Sequence, residues 1–200
     1  MEKSIFPLLG NRNYIHSTTL WRYVVEQLVP ADIINARLVC KQKIQTQVDI
    51  YCNEGECATI KDSDADIYVI TDNGRYVYSF KSNGEVVNNS ISYDEDGLLG
   101  EHELYDNERV IILRSVSREW LINSIVAANK ALLLALLPNK GMSSWLIGKI
   151  NLDYSALEKA VAHGDLRLQL DNVLANQYTK VSVYVGDKKY GVLESARKRR

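Results

Sequence analysis

A long apolar segment, residues 117–137, constrains the fold of this chain more than any other feature. It reads SREWLINSIVAANKALLLALL and is followed by Pro138. Ser117 can cap the first turn of a helix, Glu119 complements the positive end of the helix dipole, and Pro138 cannot continue the helix. A helix that is apolar almost all round must be covered by protein or by lipid, because a surface helix shows a single apolar stripe.

Protein is the better candidate for that cover. At about 1.5 Å per residue the segment approaches the length of a membrane span. However, polar residues interrupt its first half, and the uninterrupted apolar run 131–137 is too short to cross a bilayer. In the sequence before and after the helix, apolar residues alternate with polar ones, as is typical of strands. We therefore expect an α+β fold, in which an antiparallel sheet wraps a central helix, and no membrane partner.

Composition and charge narrow the class of protein. With 46% apolar residues the chain can build a core, and 24 basic residues balance 25 acidic ones. This balance gives no overall field that would attract nucleic acid, and the one basic run, residues 197–200, is expected to be a solvated tail. Cys40, Cys52 and Cys57 provide neither a disulfide framework nor a zinc set, so we expect reduced thiols, no metal and a cytoplasmic protein.

Helix and strand patterns divide the chain into two similar halves. The first half has a predicted amphipathic helix at 18–29 and strands at 36–52, 66–71, 75–81 and 86–87. The second half has the long helix, a short helix at 153–162, and strands at 109–116, 145–152, 165–174, 179–185 and 189–195. Between them, residues 93–108 contain seven acidic residues and no Lys or Arg. The predicted organisation is an N-terminal half at 1–92, an acidic linker or long loop at 93–108, a C-terminal half at 109–196 and a basic tail at 197–200.

Two stretches of the second half resemble a known family. They are residues 164–170, GDLRLQL, and residues 179–193, TKVSVYVGDKKYGVL. A long helix, a Gly-Asp before an alternating strand and a hairpin around a Gly-Asp turn are similar in order to the hot-dog superfamily of acyl-thioester dehydratases and thioesterases. The resemblance covers residues 109–195, and residues 14–90 only as a topology.

This resemblance implies a double hot dog, which has two hot-dog-like units in one chain, each a curled antiparallel sheet wrapped around a helix. It also implies an acyl thioester, carried by coenzyme A or by acyl carrier protein, in a tunnel between the halves. In the family a basic residue from one half meets an acid or an amide on the helix of the other. The dehydratases place a catalytic acid in the middle of the long helix, where this chain has Ser124.

Four polar residues are candidates for such a site. His16, just before the first helix, is the candidate base, since dehydration needs a base with a pKa near 7; the alternative is that it packs against or caps the helix. Asn129 could orient a thioester carbonyl or a water; the alternative is a hydrogen bond within the core. Ser124 and Asn123 are candidate substrate-binding residues. Alternatively, Ser124 bonds back to its own helix, and Asn123 belongs to a polar stripe that faces solvent or the linker.

Two functions remain open at this point. The first is an acyl-thioester binding protein, either catalytically degenerate or active as a dehydratase or thioesterase through His16 with Asn129. The second is a non-enzymatic α+β interaction module that holds a protein partner through the acidic linker or the tyrosine-rich hairpins. Neither requires a cofactor, and the residues leave the oligomeric state open, a homodimer included.

Overall fold

The computed structural model describes residues 2–3, 5–29, 32–55, 59–137 and 144–198. They divide into two units, Met1–Asp94 (unit 1) and Glu95–Arg200 (unit 2). Cys40 and Cys52 are free thiols, whereas Cys57, Pro138 and the last two residues of the basic tail lie outside the described residues. No helix within the described ranges is long and apolar enough to span a membrane.

Unit 1 is built on an antiparallel sheet with one helical segment. Its strands are β1 (Glu2–Lys3), β2 (Leu8–Leu9), β3 (Ile33–Cys40), β4 (Thr46–Glu54), β5 (Ala65–Thr71), β6 (Arg75–Val86) and β7 (Ser90–Ile91). The main sheet has the order β1-β4-β6-β5-β3, and β2 pairs in parallel with β7. Helix α1 (Ser17–Arg22) continues as wider π-helical turns over Tyr23–Leu28.

The apolar side of this helical segment covers the core of unit 1. Leu20, Trp21 and Val24 are at most 1% exposed and recur at helical spacing. Buried residues on the strands alternate instead, as Ile67 and Val69 do on β5, because successive strand side chains point to opposite faces. The helix residues at helical spacing and the alternating strand residues form one core, as the sequence pattern predicts.

Unit 2 contains the long apolar helix. Its elements are α2 (Glu95–Leu99), β8 (His102–Tyr105), β9 (Val110–Leu113), α3 (Leu121–Leu136), β10 (Ser144–Leu152), α4 (Tyr154–Ala160), β11 (Leu166–Leu174), β12 (Tyr178–Val185) and β13 (Lys188–Lys198). The sheet has the order β10-β13-β12-β11-β9-β8, with every described neighbouring pair antiparallel. Helix α3 packs against β9, β11 and α2.

Helix α3 is enclosed over most of its length. All nine residues from Leu121 to Asn129 are buried, and Leu132 and Leu133 are fully buried one turn later. Nine consecutive residues cover every side of a helix, so this segment is surrounded and does not lie on a surface. The predicted fold class, α+β with a sheet packed around a helix, is confirmed.

The structure differs from the sequence pattern at the start of α3 and before it. Ser117 does not cap the helix, because residues 117–120 form tight turns, with bonds from Trp120 N to Ser117 O (3.2 Å) and from Leu121 N to Arg118 O (3.2 Å). The segment 93–108, expected to be a linker or long loop, contains α2 and β8. Two contacts order it, since Glu95 of α2 forms an ion pair with Lys130 of α3 and β8 pairs with β9.

Candidate functional site

The predicted site residues lie in both units. His16 lies in unit 1, immediately before α1, whereas Asn123, Ser124 and Asn129 all lie on α3 in unit 2. The predicted pairing of His16 with Asn129 therefore stays a prediction.

His16 is the N-cap residue of α1. Its Nδ1 accepts a hydrogen bond from Thr18 N at 3.5 Å and lies 2.8 Å from Thr18 Oγ1. The imidazole is 8% exposed, and its centroid lies 6.2 Å from that of the Tyr14 ring and 6.1 Å from that of the Tyr93 ring. This geometry is that of the capping alternative, because one ring nitrogen already satisfies a backbone N–H of the first helical turn.

Two cations contact the two tyrosines near His16. Lys43 Nζ lies 4.6 Å from the centroid of the Tyr14 ring, and Arg12 Cζ lies 5.0 Å from that of Tyr93. Cation–π attraction at such distances favours these ring positions. His16 thus has aromatic neighbours in addition to its contact with Thr18.

Asn129 is the centre of a buried polar cluster in unit 2. Its side chain is 2% exposed, and its Nδ2 donates a hydrogen bond to Ser195 Oγ on β13 at 3.2 Å. Thr179 of β12 lies directly opposite Ser195 in the β12–β13 register and is 4% exposed. Directly opposed residues share a face of the sheet with their Cβ atoms about 5 Å apart. Asn129, Thr179 and Ser195, the Asn129 cluster, therefore lie together between α3 and the sheet.

Two polar atoms of the Asn129 cluster lack a hydrogen-bond partner among the described residues. They are Asn129 Oδ1 and Thr179 Oγ1, both buried. An unsatisfied buried polar group costs about 1–3 kcal/mol. A buried water typically bonds to two to four polar groups. The cluster offers a water, or a small polar part of a ligand, one amide oxygen as acceptor and one hydroxyl as donor.

The surroundings of Asn129 are apolar. Ile125, Val126, Leu132 and Leu133, three or four residues away on α3, are all at most 5% exposed. In such a medium hydrogen bonds are electrostatically stronger than in water. The cluster contains an amide and two hydroxyls, which are all neutral. It can therefore orient a bound group through hydrogen bonds, but it supplies no charge.

The other two predicted residues of α3 are also buried. Ser124 is 3% exposed, and its N–H bonds to Trp120 O at 2.8 Å in the first turn. Asn123 is 2% exposed, so it does not belong to a solvent-facing stripe; in that stripe Lys130 is exposed and pairs with Glu95 of α2. The hydrogen bond that defines the Asn129 cluster joins Asn129 to Ser195.

Thr179 and Ser195 were not candidates in the sequence. They occupy core-facing positions in alternating strands, where the pattern expects apolar side chains. A hydroxyl at each of two such positions is the signal that could have found them. That they oppose one another follows only from the strand register.

A second buried polar network, in unit 1, also escapes the sequence pattern. The side chain of Asp66 is fully buried, and its Oδ2 lies 2.7 Å from Lys41 Nζ. Ser63 and Ser79 donate to its Oδ1 at 2.9 and 2.7 Å. Because the carboxylate already has a cation and two hydroxyl donors, this network ties β5 and β6 to the residue that follows β3 and is explained as a structural one. In the described part of the chain, no three His, Cys, Asp or Glu residues are grouped to hold a metal ion.

Comparisons with known proteins find matches in structure alone. No protein-family model and no curated protein matches the sequence. Among solved structures, the tesB protein of Mycobacterium avium subspecies paratuberculosis is similar at 10% identity and a TM-score of 0.48, over 96% of this chain and 89% of that one. An acyl-ACP thioesterase from Bacteroides thetaiotaomicron has 8% identity and a TM-score of 0.47, over 98% and 96% of the two chains. A protein of unknown function with a hot-dog fold, from Alicyclobacillus acidocaldarius, has 8% identity and a TM-score of 0.47, over 95% and 89%.

The arrangement of α3 within unit 2 is the one that the sequence predicts. This buried helix packs against an antiparallel sheet that contains β9 and β11, the strand before it and the Gly-Asp strand after it. The Asn129 cluster lies where the helix meets β12 and β13.

Proposed function

We propose that this protein binds an acyl thioester and hydrolyses it with a water held by the Asn129 cluster. The resemblance of residues 109–195 to the hot-dog superfamily supplies the substrate class. The observation that carries the proposal is a pair of buried atoms, Asn129 Oδ1 and Thr179 Oγ1, that have no hydrogen-bond partner among the described residues and belong to residues that adjoin Ser195.

The chemistry needs a water in a fixed orientation beside the thioester carbonyl. A water that donates to Asn129 Oδ1 and accepts from Thr179 keeps a lone pair for attack on the carbonyl carbon. Its oxygen forms the new C–O bond, the C–S bond breaks, and the released proton goes to the departing thiolate. The products are a carboxylic acid and a free thiol.

Hydrolysis suits this cluster better than dehydration. Dehydration needs a base to remove the proton next to the carbonyl and an acid to protonate the leaving hydroxyl. The three side chains of the cluster are neutral, and Ser124 stands where the resemblance implies an acid. The role of His16 as a base for either reaction stays a prediction.

The test is the release of thiol from coenzyme A thioesters that range from acetyl to palmitoyl. Asn129→Leu and Thr179→Val remove the amide and the hydroxyl with little change of volume, and either is expected to lower kcat/KM about 10²-fold. Ser182→Ala is the matched control. It removes a fully buried hydroxyl from the same strand, one that bonds to Asp171 instead of to the cluster, and should leave kcat/KM unchanged.

Two results would overturn the proposal. One is a wild-type protein that releases no thiol and shows no rise in melting temperature with a non-hydrolysable acyl thioether of coenzyme A. The other is an Asn129→Leu variant that folds normally and is as active as the wild type.

A further inference from the structure

Strand β8 is the last strand on one side of the unit 2 sheet. Within the described ranges it pairs with β9 alone, from His102 opposite Leu113 to Tyr105 opposite Val110. All four of its residues are exposed, and Leu104 and Tyr105 are each 40% exposed. An open edge of this kind is a template for pairing with another strand.

One hydrogen bond shows which backbone groups face the open edge. Arg114 N donates to Glu101 O at 2.9 Å, so these two residues form a hydrogen-bonded pair. In an antiparallel ladder such pairs alternate with non-hydrogen-bonded ones. Glu103 and Tyr105 therefore bond to β9, whereas the N–H and C=O groups of His102 and Leu104 point away from it. An added strand would bond to His102 and Leu104.

The charge around this edge is negative. Glu101, Asp106 and Glu108 flank β8, are exposed, and form no ion pair with any described residue. Glu103 does have a cation, since Arg114 Nη2 lies 3.0 Å from its Oε1, but Arg114 is shared with Asp165. The edge therefore complements a strand that carries Lys or Arg.

A second copy of this chain is opposed at this edge in one register. In the register that pairs His102 with Leu104 of another copy, Glu103 would face Glu103, and like charges directly opposite one another destabilise a strand pair. In the register that pairs Leu104 with Leu104, Glu103 would face Tyr105, but two copies would still bring the same flanking carboxylates together. A cationic segment complements those carboxylates instead.

We propose that β8 is a docking edge for an extended, cationic segment of a partner protein. The segment adds one antiparallel strand, its backbone bonds to His102 and Leu104, and its Lys or Arg residues lie against the flanking carboxylates. An apolar residue of the segment covers Leu104. This interaction does not depend on the Asn129 cluster or on thioester hydrolysis.

The probe is a fluorescein-labelled peptide of alternating lysine and valine, and its binding is measured by fluorescence anisotropy at low ionic strength. The control peptide has glutamate in place of lysine. The wild type should bind the lysine peptide and not the glutamate peptide. Leu104→Pro removes the outward N–H and should weaken binding about tenfold, whereas Leu104→Ala keeps that N–H and should weaken it less.

A charge reversal provides the second arm, which holds even if the proline variant unfolds. The triple variant Glu101→Lys, Asp106→Lys, Glu108→Lys should bind the glutamate peptide and lose the lysine peptide. Its matched control makes the same change in net charge at exposed carboxylates of unit 1, with Asp32→Lys, Glu54→Lys and Asp72→Lys. This control should retain the wild-type preference.

The proposal is overturned if the wild type binds both peptides equally or neither of them. It is also overturned if the unit 1 control loses the lysine peptide as the edge triple does, because attraction would then be non-specific. A Leu104→Pro protein with a native melting curve and unchanged binding would exclude strand addition.

Discussion

Thr179 is expected to be replaceable at little cost in stability and at a loss in activity. Its buried hydroxyl bonds to no described residue, so the water of the proposed function is the partner that Thr179→Val removes, with little change of volume. We expect the free energy of unfolding, measured by urea denaturation, to change by less than about 1 kcal/mol while thioester hydrolysis falls. Ser182→Ala should lose about 1 kcal/mol and keep its activity, because its hydroxyl bonds to Asp171. A Thr179→Val protein as destabilised as Ser182→Ala would mean that the Thr179 hydroxyl bonds to another residue of the protein.

The sequence marks some of these side chains and not others. Asn129 can be found because it is polar among apolar helix residues, and the capping role of His16 follows from its position before Ser17 and Thr18. Thr179 and Ser195 are marked only as hydroxyls at core-facing strand positions, and their opposition could not be predicted, because it depends on the β12–β13 register. That register shifts by one residue between Val183 and Tyr184, which no local pattern reveals.

Strand β8 is held to β9 and β11 by charges that titrate with acid. A hydrogen bond from Tyr105 and the ion pair with Arg114 hold the pKa of Glu103 below its ordinary value. A carboxyl whose pKa is lower in the folded state stabilises that state above its ordinary pKa, about 4.3. This contribution is lost as the pH falls through the pKa of the folded state.

Amide hydrogen exchange, corrected for the intrinsic rate, measures the effect. Between about pH 6 and about pH 3, protection of β8 should fall faster than that of β12. In Glu103→Gln the protection of β8 should be lower at the upper pH and depend less on pH. Equal pH dependence in the variant and the wild type would contradict this role of Glu103.

The sequence predicts helix α3 well but does not predict α2 and β8, the two short elements before it. The extent of α3 could be read from the sequence within a few residues, because burial on all sides requires an apolar run. The short α2 and β8 could not, since their acidic, exposed residues give no periodic apolar signal. They are ordered by contacts from distant residues, namely Lys130 to α2 and Arg114 to β8.

The overall charge of the molecule hides an uneven distribution. The chain has a formal net charge of −1, yet residues 93–108 hold seven acidic residues and no Lys or Arg, so basic residues outnumber acidic ones in the rest. A balanced total predicts no overall field, but it cannot predict a local one. The sequence located the acidic run, and the structure adds that part of it flanks an open strand edge.

His16 lies in unit 1 and Asn129 in unit 2, and His16 has two possible roles: N-cap of α1, or base for the reaction. The variant His16→Asn distinguishes these two roles. Asparagine can accept the hydrogen bond from Thr18 N as an N-cap, so the fold is retained, but it cannot act as a base. If His16 only caps α1, hydrolysis should be unchanged; if it is the base that acts with Asn129, kcat should fall about 10²-fold at an unchanged melting temperature. The contact of Nδ1 with Thr18 leads us to expect the first result, with His16→Ala less stable by about 1 kcal/mol.

A non-hydrolysable acyl thioether of coenzyme A should raise the melting temperature of both His16 variants and fail to do so for Asn129→Leu. A ligand effect lost equally in His16→Asn and Asn129→Leu would instead show that both residues serve one site.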